Sequence, residues 1–160
     1  MDTESLLRLL KENKVDFVVI GATAFPVHGY ARTTLDIDIF VKPAKENAER
    51  VWKALKKFGY DMTDITIEDL LTKKLLIRQY AVETDIHPHV KGISFEEVWE
   101  HRVKSKFGNT FVYFASLDNL IKMKKAAGRA KDLEDLKMLQ EIKKMKKGKK
   151  KEANGRRNKK

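Results

Sequence analysis

Phe17-Val18-Val19-Ile20-Gly21-Ala22-Thr23-Ala24 and, after a short interval, Leu35-Asp36-Ile37-Asp38-Ile39-Phe40-Val41 form the stretch on which the fold turns. The run Asp16–Ile20 is short and β-rich, as a buried strand should be, and Gly21 ends it. Ala22–His28 then reads as a short helix closed by Gly29 at its C′ position. Leu35–Val41 alternates, which predicts a second strand with Leu35, Ile37 and Ile39 on one face and Asp36, Asp38 and Phe40 on the other. Pro43 ends it.

Asp36 and Asp38 therefore share a strand face and stand close together. Two carboxylates so placed repel, and burying them unpaired costs several kcal/mol. A divalent cation removes the conflict, and Mg²⁺ favours carboxylate oxygens while keeping places for water and phosphate. The competing reading is a solvated strand face with each aspartate bound to a nearby Lys or Arg. The neighbourhood favours the cation. Gly21 lets the backbone approach a ligand closely, the helix start after it offers N–H groups to a triphosphate, and Thr23 adds a hydroxyl. Fifteen residues separate Gly21 from Asp36, enough to bring the second strand back beside the first.

Outward from this unit, Asp2 or Thr3 caps a first helix whose apolar face is Leu6, Leu7, Leu9 and Leu10. Ala44–Phe58 is a strongly amphipathic helix with Ala48, Val51, Trp52 and Leu55 inward and Gly59 after it. Residues 66–72 read as a short helix, and Leu75–Tyr80 and Val82–Val90 as strands. Ser94 caps Phe95–Glu100, with Glu97 placed to complete a capping box. Arg102–Lys106 and Thr110–Ala115 flank Gly108-Asn109 as a hairpin. Ser116 caps Leu117–Ala126, and a last helix runs from Lys131 to about Lys144. The plan is α+β, a mixed β-sheet flanked by helices with closing C-terminal helices.

The chain has 160 residues and 42% hydrophobic content, enough for one domain with a real core. The absence of cysteine excludes disulfides, thiolate metal sites and a cysteine nucleophile. The acidic start Met1-Asp2-Thr3-Glu4 is unlike a signal peptide, and no apolar run has membrane-spanning length, so a soluble cytoplasmic protein is expected. The net charge of +11 belongs to one end. Lys143–Lys160 holds eleven Lys/Arg against Glu152, leaving 23 basic and 22 acidic groups in the other 142 residues. The expected division is a domain over 1–145 and a basic, disordered tail over 146–160. Such a tail suits nucleic-acid phosphates, or serves only as a solubilising terminus.

With these residues in view, the sequence resembles the DNA polymerase beta-type nucleotidyltransferase superfamily. Phe17–Ala22 through Leu35–Ile39 resembles its signature hG[G/S], a short helix, then Dh[D/E]h. Gly21-Ala22-Thr23-Ala24, His28-Gly29, Arg32-Thr33-Thr34 and Asp36-Ile37-Asp38 are similar to small prokaryotic members, some of them in toxin–antitoxin and abortive-infection systems. Leu120–Lys124 and Ala127–Leu136 resemble the closing helices of that group. The resemblance spans roughly residues 15–140. It implies a nucleotidyltransferase fold and Mg²⁺-dependent transfer of a nucleoside monophosphate from an NTP such as ATP to a hydroxyl acceptor in a protein, an RNA or a small molecule. It also implies a two-metal site held by Asp36, Asp38 and a third carboxylate on a later strand. Asp85, in Thr84-Asp85-Ile86, supplies that carboxylate, with Glu83 as the alternative on the same face. Gly21, Ala22 and Thr23 would hold the triphosphate. Ala22 departs from the Gly or Ser of the signature, which leaves a catalytically degenerate binding module or toxin–antitoxin component as the alternative.

Arg32 reads as a phosphate contact or as a salt-bridge partner of Asp36 or Asp38. Lys122 and Lys125 share a helix face that either approaches the triphosphate or is simply solvated. His28 reads as a packing or capping histidine, His87 as a neighbour of the metals, and Asp132 and Asp135 as decoration of the last helix start. Trp52 and Trp99 read as core residues, and Phe25 and Tyr30 as contacts to a base. The closing helices are minimal at this length, so a partner or a dimer is expected to complete the site.

Overall fold

A computed structural model of the chain describes residues 2–79 and 82–158, with side chains through Gly155. Met1, Tyr80 at the end of the expected strand Leu75–Tyr80, and Lys159 and Lys160 of the tail lie outside the described residues. Six strands form one mixed sheet: β1 (Phe17–Ile20), β2 (Asp36–Val41), β3 (Leu75–Ile77), β4 (Glu83–His87), β5 (Val103–Phe107) and β6 (Thr110–Phe114). Their order across the sheet is β3-β4-β2-β1-β6-β5. β1 runs antiparallel to β2 and parallel to β6, β2 runs parallel to β4, and β3–β4 and β5–β6 are antiparallel pairs.

The helices are α1 (Thr3–Glu12), α2 (Lys45–Phe58), α3 (Ile67–Thr72), α4 (Phe95–Glu100), α5 (Leu117–Ala127) and α6 (Leu133–Asn158). Asp2 caps α1 by accepting from the Ser5 amide. Its Leu6, Leu7 and Leu10 are fully buried against the sheet and α2. Buried Asn47 of α2 accepts from the Asp16 amide and donates to the carbonyls of Asp16 and Lys42, so it ties the start of β1 to the end of β2. Tyr60 donates to the Val82 carbonyl and shares a hydrogen bond with Thr84, which anchors β4 from the other side. Both strands that carry the aspartates are thus fixed by buried polar contacts as well as by isoleucines. No described helix is long and apolar enough to cross a membrane.

Several expected elements are shorter or longer than their patterns suggest. β3 and β4 are trimmed at both of their facing ends, and Val90 makes only an isolated bridge to Ile93. Leu35, expected to point inward with Ile37 and Ile39, is 82% exposed, because the ladder begins at Asp36. The closing helix continues past Lys144 to Asn158, since lysine is a good helix former. Ile142 is the last buried residue among those of the helix whose side chains are described. Ser94 caps α4, but the Glu97 side chain does not close the box and instead binds Lys122; the full capping box is Thr66 with Asp69 at α3.

Candidate active site

Alternation along β2 buries Ile37 and Ile39 and turns Asp36 and Asp38 to the opposite face. The parallel register of β2 with β4 then sets Asp38 beside Asp85 and Asp36 beside Glu83. The Asp85 side chain joins the cleft with Asp36 and Asp38, whereas Glu83 lines a neighbouring hollow and pairs with Arg78 at 3.6 Å. Ligand atoms of Asp38, Asp85 and His87 lie within 4.8 Å of one another.

Each carboxylate has a positioned partner. The Nε2–H of His87 donates to Asp38 Oδ1 at 2.8 Å, Thr34 donates to Asp36 Oδ1 at 2.9 Å, and Arg78 Nη1 donates to Asp85 Oδ1 at 2.7 Å. Burial pushes the Asp85 carboxyl up; the Arg78 hydrogen bond opposes this, and the charges of Asp38 and Asp36 reinforce it, so its pKa lies above the ordinary value. Burial pushes Asp36 the same way, but hydrogen bonds from Thr34 and Asp85 outweigh it and carry Asp36 below its ordinary value. The two carboxyls shift in opposite directions because burial prevails at Asp85 and hydrogen bonds prevail at Asp36.

Gly21 follows β1 with φ +68°, a left-handed conformation that favours glycine. The backbone passes so near Asp38 that no side chain fits between them. Beyond it, Gly21–His28 is a 3₁₀ segment rather than an α-helix, and no side chain caps its N-terminus, which faces the aspartates. Ala22 lines the same cleft. Thr23 sits just aside, its hydroxyl 3.4 Å from the Asp36 carbonyl.

The cleft encloses about 350 Å³. Its floor is Asp36, Asp38 and Asp85, and its rim holds Arg32, Lys74, Arg78, Lys124, Arg129 and Lys131. Lys124 Nζ is held 3.1 Å from Asp132 and 3.2 Å from Asp135, two almost fully buried carboxylates at the start of α6. Arg129 Nε lies 2.7 Å from Asp132. The acids of α6 therefore hold the cationic side of the cleft in place.

The sequence-predicted residues Gly21, Ala22, Arg32, Asp36, Asp38 and Asp85 all meet at this cleft, and Thr23 borders it. Arg32 differs in partner: its ion pair is with Asp135 at 3.1 Å, not Asp36 or Asp38. That pairing bridges distant parts of the chain, which local spacing cannot reveal. Lys122 and Lys125 do not line the cleft. Lys122 Nζ binds Glu97 at 3.0 Å, and Lys124, on a different side of α5, is the lysine that enters. Phe25 is fully buried and stacked on Tyr30, whose hydroxyl donates to Asp135, so neither is presented for a base as they stand. His28 donates through Nε2 to the Ala115 carbonyl at 2.8 Å, a packing role. Arg78 and Lys74 were not singled out by sequence. The β3–β4 pairing brings them in: it sets Leu76 beside Asp85, with Lys74 just before the strand and Arg78 just after it, a register that local spacing does not encode.

The family described as "Nucleotidyltransferase of unknown function (DUF6036)" matches residues 2–146. The fold is similar to the crystal structure of a candidate nucleotidyltransferase from Thermotoga maritima, with a TM-score of 0.56, 17% identity, and coverage of 83% of this chain and 86% of that one. No curated protein matches the sequence significantly.

Proposed function

This chain belongs to the DUF6036 nucleotidyltransferase family, and from that premise we propose that it transfers a nucleoside monophosphate from an NTP to a hydroxyl acceptor, releasing pyrophosphate. The observation that carries this reading is the register of Asp38 beside Asp85 on parallel strands, with Asp36 on the same face, beneath a rim of six cations.

The donor set fits Mg²⁺. Asp36, Asp38 and Asp85 offer hard oxygen ligands, and a cation relieves the crowding of their charges on one face of the cleft. Bound there, Mg²⁺ supplies charge neutralisation at the phosphates and acidifies the attacking hydroxyl. His87 orients the Asp38 carboxylate from behind. The backbone at Gly21 and Ala22 holds the terminal phosphates, helped by the guanidinium and ammonium groups of Arg129 and Lys124. Held in line, the acceptor oxygen forms a bond to the α-phosphorus while the bond to the α,β-bridging oxygen breaks and pyrophosphate leaves with the electron pair. The hydroxyl proton passes to a carboxylate oxygen of Asp85, which stands beside Asp38 on the paired strand.

Calorimetric titration with Mg²⁺ and ATP tests the site. Metal-dependent binding by the wild type and its loss in Asp36→Asn/Asp38→Asn is the expected result; equal binding by both proteins rejects the assignment. The second reading, a degenerate binding module or toxin–antitoxin component, is favoured by Ala22 and by the Arg78 guanidinium already seated on Asp85. NTP binding without turnover on RNA ends, proteins or small hydroxyl compounds would select it. A soluble cytoplasmic setting, a dimer and a nucleic-acid contact through the basic end of α6 are part of the same proposal.

A further inference from the structure

The cleft over the aspartates does not end at Asp38. It continues into a second recess of about 300 Å³, and the two share Gly21, Asp38, Lys74, Lys124 and Arg129 as their common boundary. Their walls differ in kind. The cleft is bounded mainly by charged groups. The recess is bounded by Leu120, Met123 and Ala127 of α5 on one side, with Phe25 behind them and Val90 opposite. Leu120 and Phe25 are buried, so the apolar surface it offers comes from the half-buried Met123, Ala127 and Val90.

The opposing wall is held in place. Val90 bridges to Ile93 across a turn in which Gly92 has φ +82°, and a Cβ there would lie 2.7 Å from the Ala126 Cβ. That contact clamps the turn on α5. On the far side, the Nε2–H of His89 donates to the Leu71 carbonyl at 3.0 Å and ties the same segment to α3. The slot is thus built before any ligand arrives, with a volume at the small end of the range of about 300–1,000 Å³ for small-molecule pockets.

We propose that this recess holds the nucleoside of the NTP, with the base flanked by Met123 and Ala127 on one side and Val90 on the other. The inference rests on the reading of the cleft as a polyphosphate site. A triphosphate needs the cationic rim, whereas a base needs flat apolar cover for its faces and water or an exposed group for its edge. The continuity at Asp38 joins these two needs at the position of the α-phosphate. His87, His89 and Lys91 lie at the recess, and Arg102 Nε, a buried side-chain atom without a hydrogen-bond partner, lies outside it. Strong base discrimination comes from buried polar groups left unpaired by the wrong ligand. Beyond the shared boundary the polar side chains of the recess are His89 and Lys91, both exposed, and His87, which is engaged by Asp38, so the site accepts purine and pyrimidine NTPs alike.

The test compares inorganic tripolyphosphate, ATP and UTP, each with Mg²⁺, on the wild type and on two separate variants that fill the slot, Met123→Trp and Ala127→Leu. Tripolyphosphate binding doubles as the check that each variant is folded. The expected result is that both NTPs bind the wild type about tenfold tighter than tripolyphosphate, the increment expected from covering one base with apolar side chains. That increment should vanish in both variants while tripolyphosphate binding stays. Equal affinity of NTPs and tripolyphosphate in the wild type, or an increment that survives both variants, overturns the recess and leaves the polyphosphate cleft standing. NTP binding without tripolyphosphate binding, lost in both variants, keeps the recess and rejects the polyphosphate cradle. Binding of neither ligand overturns both.

Discussion

A methyl group placed on Gly21 would lie 2.5 Å from Oδ2 of Asp38. The glycine is required twice at that position, once by its left-handed backbone and once because the chain must pass within contact distance of a carboxylate. Gly21→Ala should therefore cost about 1–2 kcal/mol in backbone conformation alone and displace Asp38 as well. Urea unfolding should show the loss in stability, and Mg²⁺-dependent ATP binding should disappear in the same variant. Full ATP affinity in a stably folded Gly21→Ala protein would show that the contact is dispensable.

Asp85→Asn separates chemistry from folding. The substitution removes a crowded charge from the floor of the cleft and leaves the half-exposed Arg78 in contact with water. The metal-free protein should keep its melting temperature or gain slightly, and the stabilisation by added Mg²⁺ should shrink. Transfer of labelled nucleotide should fall more than about 100-fold. A variant with unimpaired transfer would move the acceptor-activating role away from Asp85.

On α5, Lys124 and Lys122 are predicted to behave differently although only one residue lies between them. Lys124→Ala should weaken NTP binding about tenfold, because its ammonium lines the cleft. Lys122→Ala should bind as the wild type does, because its partner is Glu97 at 3.0 Å. The reverse order of effects in a binding titration would contradict the side-chain placement along this helix.

Asp132 is 2% exposed and is gripped by Arg129 and Lys124. The Arg129 hydrogen bond, working against burial and aided by Lys124, holds its carboxyl far below the usual carboxylate range. Removing Asp132 leaves Arg129 largely in water and Lys124 still paired with Asp135, so Asp132→Ala should cost about 1–3 kcal/mol and unfold at lower denaturant at neutral pH. The sign with pH follows from the depressed value. The contribution is complete above the unfolded pKa near 3.8 and fades as pH falls below it, so the gap between wild type and variant should narrow in acid. A gap that widens in acid would contradict the ion-pair assignment.

His28 gives the opposite chemistry with a similar direction. Burial lowers its pKa from 6.5, against the hydrogen bond to Ala115 and with the help of Lys146. Above pH 6.5 both folded and unfolded chains are neutral there, and stability is level. Below it the unfolded chain takes up the proton first, so stability should decline at up to about 1.4 kcal/mol per pH unit until the folded pKa is passed. Urea midpoints between pH 8 and pH 5 should show this slope in the wild type and a shallower one in His28→Asn. Equal slopes would assign the pH dependence elsewhere.

The sequence was most informative where a short period governed side-chain direction. Ile37 and Ile39 against Asp36 and Asp38, and Thr84 and Ile86 against Asp85, are each a strand read two residues at a time, and the sheet kept both alternations. Leu35 shows where that reading stops: the pattern continued but the ladder did not, and the residue is left in solvent. Helical rotation was harder to read. Lys122 and Lys125 share a face, yet which face of α5 looks at the cleft depends on how the helix packs, and only Lys124 enters. Arg32 paired with Asp135 across more than a hundred residues, a contact that no local spacing encodes. The capping sites at Asp2, Ser94 and Ser116 lay within reach of sequence because each cap is closed by a residue three positions away.

The floor and the rim of the cleft come from different parts of the architecture. Asp36, Asp38 and Asp85 project from paired strands whose reverse faces are packed isoleucine, so a one-residue slip would bury the acids and expose the core together. The cations come from the segment before β2 (Arg32), from the two ends of β3 (Lys74 and Arg78), from α5 (Lys124) and from the turn before α6 (Arg129 and Lys131). Catalytic geometry is thereby coupled to foldability through the sheet, and four of the six rim cations are coupled to it through the buried acids they neutralise. Of the perimeter cations, Lys74 and Lys131 have no ion pair among the described contacts, so these are the positions a descendant of this scaffold could exchange at least cost to its fold.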